Sequence, residues 1–256
     1  MSIDYVDRPY PSAAGLEKPR FFAYQMVMPA DLTLAVDYVY ERQRRHNRLL
    51  HGWGVVRGAW VSQVDEWQLS ITPGYLLGPQ GDEIVIDRPL QFDIRTEGLD
   101  GYAVSSAEAA DPWCSTVRVN RRPELPLYVA VRYGECQTRP VQVASAGCGG
   151  NDLACEYSRL RESFAIKMLT QLPASYVGAG APPPYEQTHS AIGGGGAAGA
   201  TQDDPRPWLP PPSDPWVILA DVQLQADGTL GVSSVDNLTH RRYVASHGDF
   251  YFNATP

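Results

Sequence analysis

ADLTLAVDYVYERQRRHNRLLHGWGVVRG (Ala30–Gly58) changes its hydrophobic period partway along, and that change decides the fold. In the first two-thirds, Leu32, Val36, Val39, Gln43, His46 and Leu50 recur at alternating steps of three and four, which lines them along one side of an amphipathic helix. Asp31 suits the first turn, where a carboxylate meets free backbone N–H groups. Arg42, Arg44, Arg45 and Arg48 crowd the other end, where cations are favoured. Gly52 follows the stripe and is expected to stop the helix in the left-handed conformation. WGVVRGAWV, rich in Val and Trp, then reads as a strand. A helix that turns through Gly52-Trp53-Gly54 into a sheet is predicted to organise the rest of the chain.

Outward from this corner, the pattern is of short strands. Val55–Val61 and Trp67–Ile71 flank a polar loop, and ITPGYLLGPQGDEIVIDRP carries turn chemistry at Pro73-Gly74, Gly78-Pro79 and Gly81-Asp82. With QFDIR (Gln91–Arg95) the segment predicts a β-meander. Leu127–Tyr133 alternates as a strand, and Val141 and Val143 suggest a partner strand after Pro140. ESFAIKML places Phe164, Ile166 and Met168 on one face with a period of two, while YSRLRE before it can hold a helical turn. WVILADVQL and TLGVSSV read as a hairpin, and DNLTHRRYV as a final short helix or strand. The fold class expected is α+β, mainly β: one N-terminal amphipathic helix followed by antiparallel meander or sandwich-like sheets.

The organisation predicted runs as follows. Residues 1–20 form an extended arm, 21–96 the helix and meander, and 97–172 a β-rich region with a cysteine cluster. A Gly/Pro-rich surface insertion spans 173–215, a completing hairpin 216–246 and an aromatic tail 247–256. Four consecutive glycines and two runs of three prolines in the insertion cannot build a packed core. Its Tyr176, Tyr185 and Trp208 are expected to lie on a surface.

Twenty-one basic against 29 acidic residues, a net charge of −8, argues against a nucleic-acid partner. No apolar run approaches the roughly 18–20 residues needed to cross a bilayer. The N-terminal MSIDYVDRPYPSAAGLEKPRFF lacks the apolar centre of a signal peptide, so folding in the cytoplasm is expected.

Cys136, Cys148 and Cys155, with Cys114 upstream, leave three readings open: a structural metal site, one or two disulfides, or buried thiols that pack as small hydrophobes. No C-x₂-C pair is present. His46 and His51 stand beside no nucleophile or paired carboxylate at a recognisable spacing. His46 is expected as a hydrogen-bonded core histidine, and His51 as a cation favoured by the helix C-terminus. The arginines are expected on a solvated helix face with ion pairs to Glu41 and Asp37. Gly52, Gly54 and Gly58 follow a helix and precede a strand, the reverse of the order a dinucleotide loop needs. Asp82-Glu83 and Asp203-Asp204 read as turn residues. G-x-S-x-G, H-E-x-x-H, P-loop and calcium-loop patterns are all absent from the sequence, which points away from catalysis and from a cofactor.

HNRLLHGWGVVRG (His46–Gly58) resembles proteins encoded in gene clusters of extracellular contractile injection systems and related phage-tail-like particles. ITPGYLLGPQGDEIVI (Ile71–Ile86), TRPV (Thr138–Val141), ACEYSRLRESFAIKML (Ala154–Leu169) and WVILADVQL (Trp216–Leu224) are also similar to that family. The resemblance implies a non-enzymatic particle subunit at the baseplate periphery, in a cage-like shell or at a fibre attachment. Its partners would be baseplate proteins and copies of itself, with Arg44, Arg45, His46, Asn47, Arg48, His51 and Trp53 as the docking surface. A fibre-type receptor- or carbohydrate-binding module is the alternative, and an envelope-acting hydrolase a third reading.

Overall fold

The computed structural model describes residues 16–95, 125–143, 154–176, 212–225 and 231–245. An α-helix, α1 (Pro29–His46), leads through a π-helical turn (Asn47–His51) into β1 (Gly54–Gly58). Next come β2 (Val61–Gln63), β3 (Gln68–Ile71), β4 (Gly74–Leu77), β5 (Glu83–Ile86) and β6 (Leu90–Asp93). They form two three-stranded antiparallel sheets, ordered β1-β4-β5 and β2-β3-β6. The meander is therefore present, but each of its three long strands is broken in the middle and bends from one sheet into the next.

The bend lies at Gly58-Ala59, both with positive φ (63° and 51°), opposite Thr72-Pro73. Across it the Ala59 N–H donates to the Pro73 carbonyl at 3.0 Å, and the Trp60 N–H to the Thr72 hydroxyl at 2.9 Å. The single strand expected over Val55–Val61 is thus two strands around a corner. Its alternating apolar residues had carried no signal of the break.

A four-stranded antiparallel sheet, ordered β10-β9-β7-β8, packs against this unit. Its strands are β7 (Leu127–Val143), β8 (Ala154–Leu169), β9 (Val217–Leu224) and β10 (Val232–Asp236). β7 runs unbroken through Pro140, where two strands had been expected, and YSRLRE is strand rather than helical turn. Proline is tolerated there because β9 pairs with β7 only over Leu127–Val131. Beyond Val131 no strand among the described residues pairs with that side of β7, which suits a residue without an N–H. The exposed outer half of this hairpin, with Val141, Tyr157 and Leu160 on its surface, projects from the body as a two-stranded ribbon.

One hydrophobic core draws on every sheet. Val55, Leu69, Ile71, Leu76, Ile84 and Ile86 of the bent unit meet Val129, Val131, Ile166, Ile218 and Leu219 of the four-stranded sheet. Val217 to Ala220 are buried in succession, as expected of a strand covered on both faces. The fold is α+β, mainly β.

DNLTHRRYV opens on the last residue of β10, and from Asn237 to Val244 it forms neither helix nor regular strand. It runs along the outer edge of β1 and β2 and closes it. The Asn237 carboxamide pairs with both backbone groups of Val61, accepting at 2.9 Å and donating at 2.8 Å. The Arg242 carbonyl accepts from the Val55 N–H at 2.8 Å, and the Val244 N–H donates to the Val55 carbonyl at 2.9 Å. Between them, buried Arg241 donates to the carbonyls of Ala59 (2.8 Å) and Gly58 at the corner, and to that of Leu219 (3.2 Å), which the register shift between β9 and β7 leaves out of their ladder. Burial lowers the pKa of this guanidinium from its ordinary value, yet an arginine remains charged at neutral pH. Arg241→Met is expected to cost about 2–3 kcal/mol in urea unfolding, because three buried carbonyls lose charged donors. Arg241→Lys should recover only part of this, since an ammonium lacks the planar fork.

Candidate functional site

α1 is fastened to the body by its polar face. Arg44, Asn47 and Arg48 are buried, Arg44 to 3 % exposure, while Leu32, Val36 and Val39 are 57, 64 and 65 % exposed. The stripe that a sequence argument would turn inward faces out.

The reason lies in the turn before β5. Arg44 Nη2 donates to Gln80 Oε1 at 2.8 Å and to Asp82 Oδ2 at 3.1 Å, and Nη1 donates to Glu41 at 2.8 Å. Its Nε lies 2.9 Å from Asp82 Oδ1, an ion-pair distance without a hydrogen-bonding angle. The Tyr40 hydroxyl donates to Asp82 Oδ1 at 2.7 Å, and Asn47 Nδ2 to the Gly81 carbonyl at 3.0 Å. Burial works against the Arg44 charge, but Asp82 and Glu41 outweigh it and hold the guanidinium above its ordinary pKa. Burial, helped by the Asp82 charge, keeps the Tyr40 phenol protonated. Tyr40 also packs on Tyr133 of β7, ring centroids 6.4 Å apart, so the cluster ties α1 to two sheets. Paired and hydrogen-bonded, these charges can be buried; Asp82 alone could not.

The docking residues expected from the sequence therefore divide. Arg45, His46 and His51 are exposed, whereas Arg44, Asn47, Arg48 and Trp53 are enclosed within the chain. His46 is not the core histidine expected; its ring meets that of His51 edge-on at 5.5 Å on the surface. Buried Trp53 lies between the Arg242 guanidinium, 4.4 Å from its ring centroid, and the Tyr176 ring at 5.2 Å. That stack fixes the corner after the helix. Asp82, Gln80 and Arg242 carry much of the arrangement and were missed: turn-type spacing conceals the contacts of Gln80 and Asp82 with Arg44, nearly forty residues away, and Arg242 reaches Trp53 from the far end of the chain.

Gly52 ends the helical segment, but with φ 77° and ψ −148°, which is not the left-handed stop expected. This backbone region is open almost solely to glycine. A Cβ there would meet nothing within 4 Å, so the cost of substitution is in the backbone alone. Gly52→Val should lower the unfolding free energy by about 2–3 kcal/mol without disturbing the core, read by chemical denaturation together with an unchanged near-ultraviolet spectrum.

Tyr176, expected on a surface of the insertion, is a core residue whose hydroxyl accepts from the Ile218 N–H at 2.9 Å. Ser175 donates through both its N–H and its hydroxyl to Asp214, which holds those two positions together. Tyr185 and Trp208 lie outside the described residues.

Cys136 is buried, and the register pairs it with Arg161, whereas Cys155 pairs with Gln142. Six ladder steps, about 20 Å, separate these two backbone positions along the ribbon. Cys114 and Cys148 lie outside the described residues. His240 Nδ1 stands 2.6 Å from Asp221 Oδ2, a pairing that joins the closing segment to β9. Burial raises the Asp221 pKa, and the His240 contact pulls it back. Among the described residues no serine, threonine or cysteine is hydrogen-bonded to that imidazole.

No family model matches the chain, and no curated protein does. Several solved structures are similar to it in part. A chain of the TssK-TssF-TssG baseplate subcomplex of the type VI secretion system, seen by cryo-electron microscopy, is 15% identical, with 62% of this chain and 53% of that chain covered and a TM-score of 0.34. A chain of the type VI secretion baseplate complex is 12% identical over 86% and 58%, with a TM-score of 0.35. The crystal structure of TssK is 11% identical over 86% and 41%, with a TM-score of 0.34. The chain thus spans about half the length of the solved chains it matches. Among the described residues no helix is long and apolar enough to cross a membrane.

Proposed function

We propose that the chain is a structural, non-catalytic subunit of a contractile, phage-tail-like particle, placed in or beside the baseplate. The observation that carries this reading is the inverted helix. A buried ion-pair cluster clamps α1 so that Leu32, Val36 and Val39 stay in solvent, and the approach to it adds Phe22, Tyr24 and Met26, each more than half exposed. Large apolar side chains exposed together are the mark of an interaction site. The projecting ribbon of β7 and β8 supplies a second one, with outer edges that pair with no further strand among the described residues and that a neighbouring strand can extend. The His46–Gly58 run, on which the resemblance to injection-system proteins rests, adds Asn47 to the clamp and leads into the corner at Gly58-Ala59.

The experiment is affinity purification of particles from cells expressing the tagged chain together with the sheath, tube and baseplate genes of its own cluster. The chain is expected in the baseplate fraction by mass spectrometry, with the label at one end of the particle in negative-stain images. Its absence from intact particles would overturn the proposal.

A further inference from the structure

His46 and His51 take no part in the clamp that holds α1 down. Both imidazoles are exposed, and among the described residues neither has a hydrogen-bond or ion-pair partner. Their rings meet each other instead, with centroids 5.5 Å apart and planes at 61°. Residues five apart in a regular α-helix point about 140° away from each other around the axis, too far for two short side chains to meet. Here His46 caps the π-helical turn and His51 closes it, and the i→i+5 pairing of such a turn returns the fifth residue to the side of the first.

The backbone beneath the two rings is held. Asn47, next to His46, is buried and donates to the Gly81 carbonyl at 3.0 Å and to Glu83 Oε1 at 3.4 Å. Gly52, next to His51, takes the conformation reserved for glycine. Two imidazoles are thus presented to solvent from a fixed turn, and π-bulges of this kind are frequent at functional sites.

Neutral imidazole nitrogens bind zinc, nickel and copper, zinc at about 2.0–2.1 Å. From that bond length and the size of the ring, two imidazoles on one tetrahedral ion have centroids about 5 Å apart. The pair already stands close to that separation, so turning the exposed rings about their side-chain bonds brings one nitrogen of each to a shared ion. The place is the C-terminal end of the helical segment, where unpaired carbonyls favour a cation. Exposed Arg45 opposes it, but solvent screens that charge. Among the described residues no third histidine, cysteine or carboxylate completes the group, so water fills the other positions, as in an open zinc site.

We infer that His46 and His51 together bind one divalent transition cation of the zinc class. Magnesium and calcium, which take oxygen ligands, are excluded by the donor set. The test is calorimetric titration of Zn²⁺ into the full chain, free of any histidine tag and with its thiols kept reduced. The natural chain is expected to take up one equivalent more than the His46→Ala/His51→Ala double variant, a difference to which cysteine-bound zinc does not contribute. Each single variant should bind that equivalent at least tenfold more weakly, and excess Mg²⁺ should not displace it. Zinc should raise the melting temperature of the natural chain above that of the double variant in the same buffer. Both positions are exposed, so the variants should match the natural chain in circular dichroism without metal. Equal zinc uptake by the natural chain and the double variant would overturn the inference, as would a single variant that keeps the natural affinity. The titration uses the free chain, so its failure leaves the particle assignment standing, and absence of the chain from particles leaves the metal site standing.

Discussion

Asp82→Ala is expected to lower the unfolding free energy by about 3–5 kcal/mol, read as a shift of the urea midpoint. The loss exceeds the worth of one ion pair, because Arg44 and the Tyr40 hydroxyl are left buried without the carboxylate they address. Asp82→Asn keeps an oxygen for Tyr40 and removes the charge, so a smaller loss of about 2–3 kcal/mol is expected. The damage should be local in its first effect. α1 touches the body chiefly through Arg44, Asn47 and Tyr40, and none of its large aliphatic side chains enters the core. Amide exchange in Asp37–His46 should therefore quicken in Asp82→Ala well before exchange in β7 or β9 does.

Gly58→Ala should be worse, with a loss of at least about 4 kcal/mol and little soluble protein. At φ 63° an L-residue already pays roughly 1–2 kcal/mol. The added Cβ would also sit 2.0 Å from the Pro73 carbonyl oxygen and 2.9 Å from the Gly74 Cα, and both are backbone atoms that cannot swing aside. Relief requires opening the corner, which breaks the Ala59–Pro73 bond and pulls the Gly58 carbonyl from Arg241. The control is Gly52→Ala, where φ is positive but the space is open. A cost near 1–2 kcal/mol is expected there, and melting temperatures of the two variants side by side make the comparison.

The strands were legible because alternation at Ile84 and Ile86, or at Phe164 and Ile166, reports burial directly. The helix was legible for the same reason, but its orientation was not. Two faces can be read from Ala30–Gly58: an apolar one at Leu32, Val36 and Val39, and a polar one at Asp37, Tyr40, Arg44 and Asn47. Periodicity separates them without saying which turns inward. The choice depends on what the opposing surface offers, and that surface presents Gln80, the Gly81 carbonyl and Asp82 rather than aliphatic groups. The corner at Gly58-Ala59 was hidden because alanine gives no warning of positive φ. The continuity of β7 through Pro140 was hidden because a proline's meaning depends on whether a strand lies on its N–H side. Arg241 and Arg242 sit in a segment with no period of its own, and their contacts lie more than 180 residues away at Gly58, Ala59 and Trp53.

The orientation of α1 carries the account, and a double-mutant cycle between Arg44 and Asp82 tests it most directly. Unfolding free energies of the natural protein, Arg44→Ala, Asp82→Ala and the double variant give the coupling between helix and turn. A coupling of about 2–3 kcal/mol is predicted, since the double variant leaves neither charge buried alone. Additive effects, within about 0.5 kcal/mol, would mean that Arg44 stands in solvent and that the apolar stripe, not the polar face, holds the helix down.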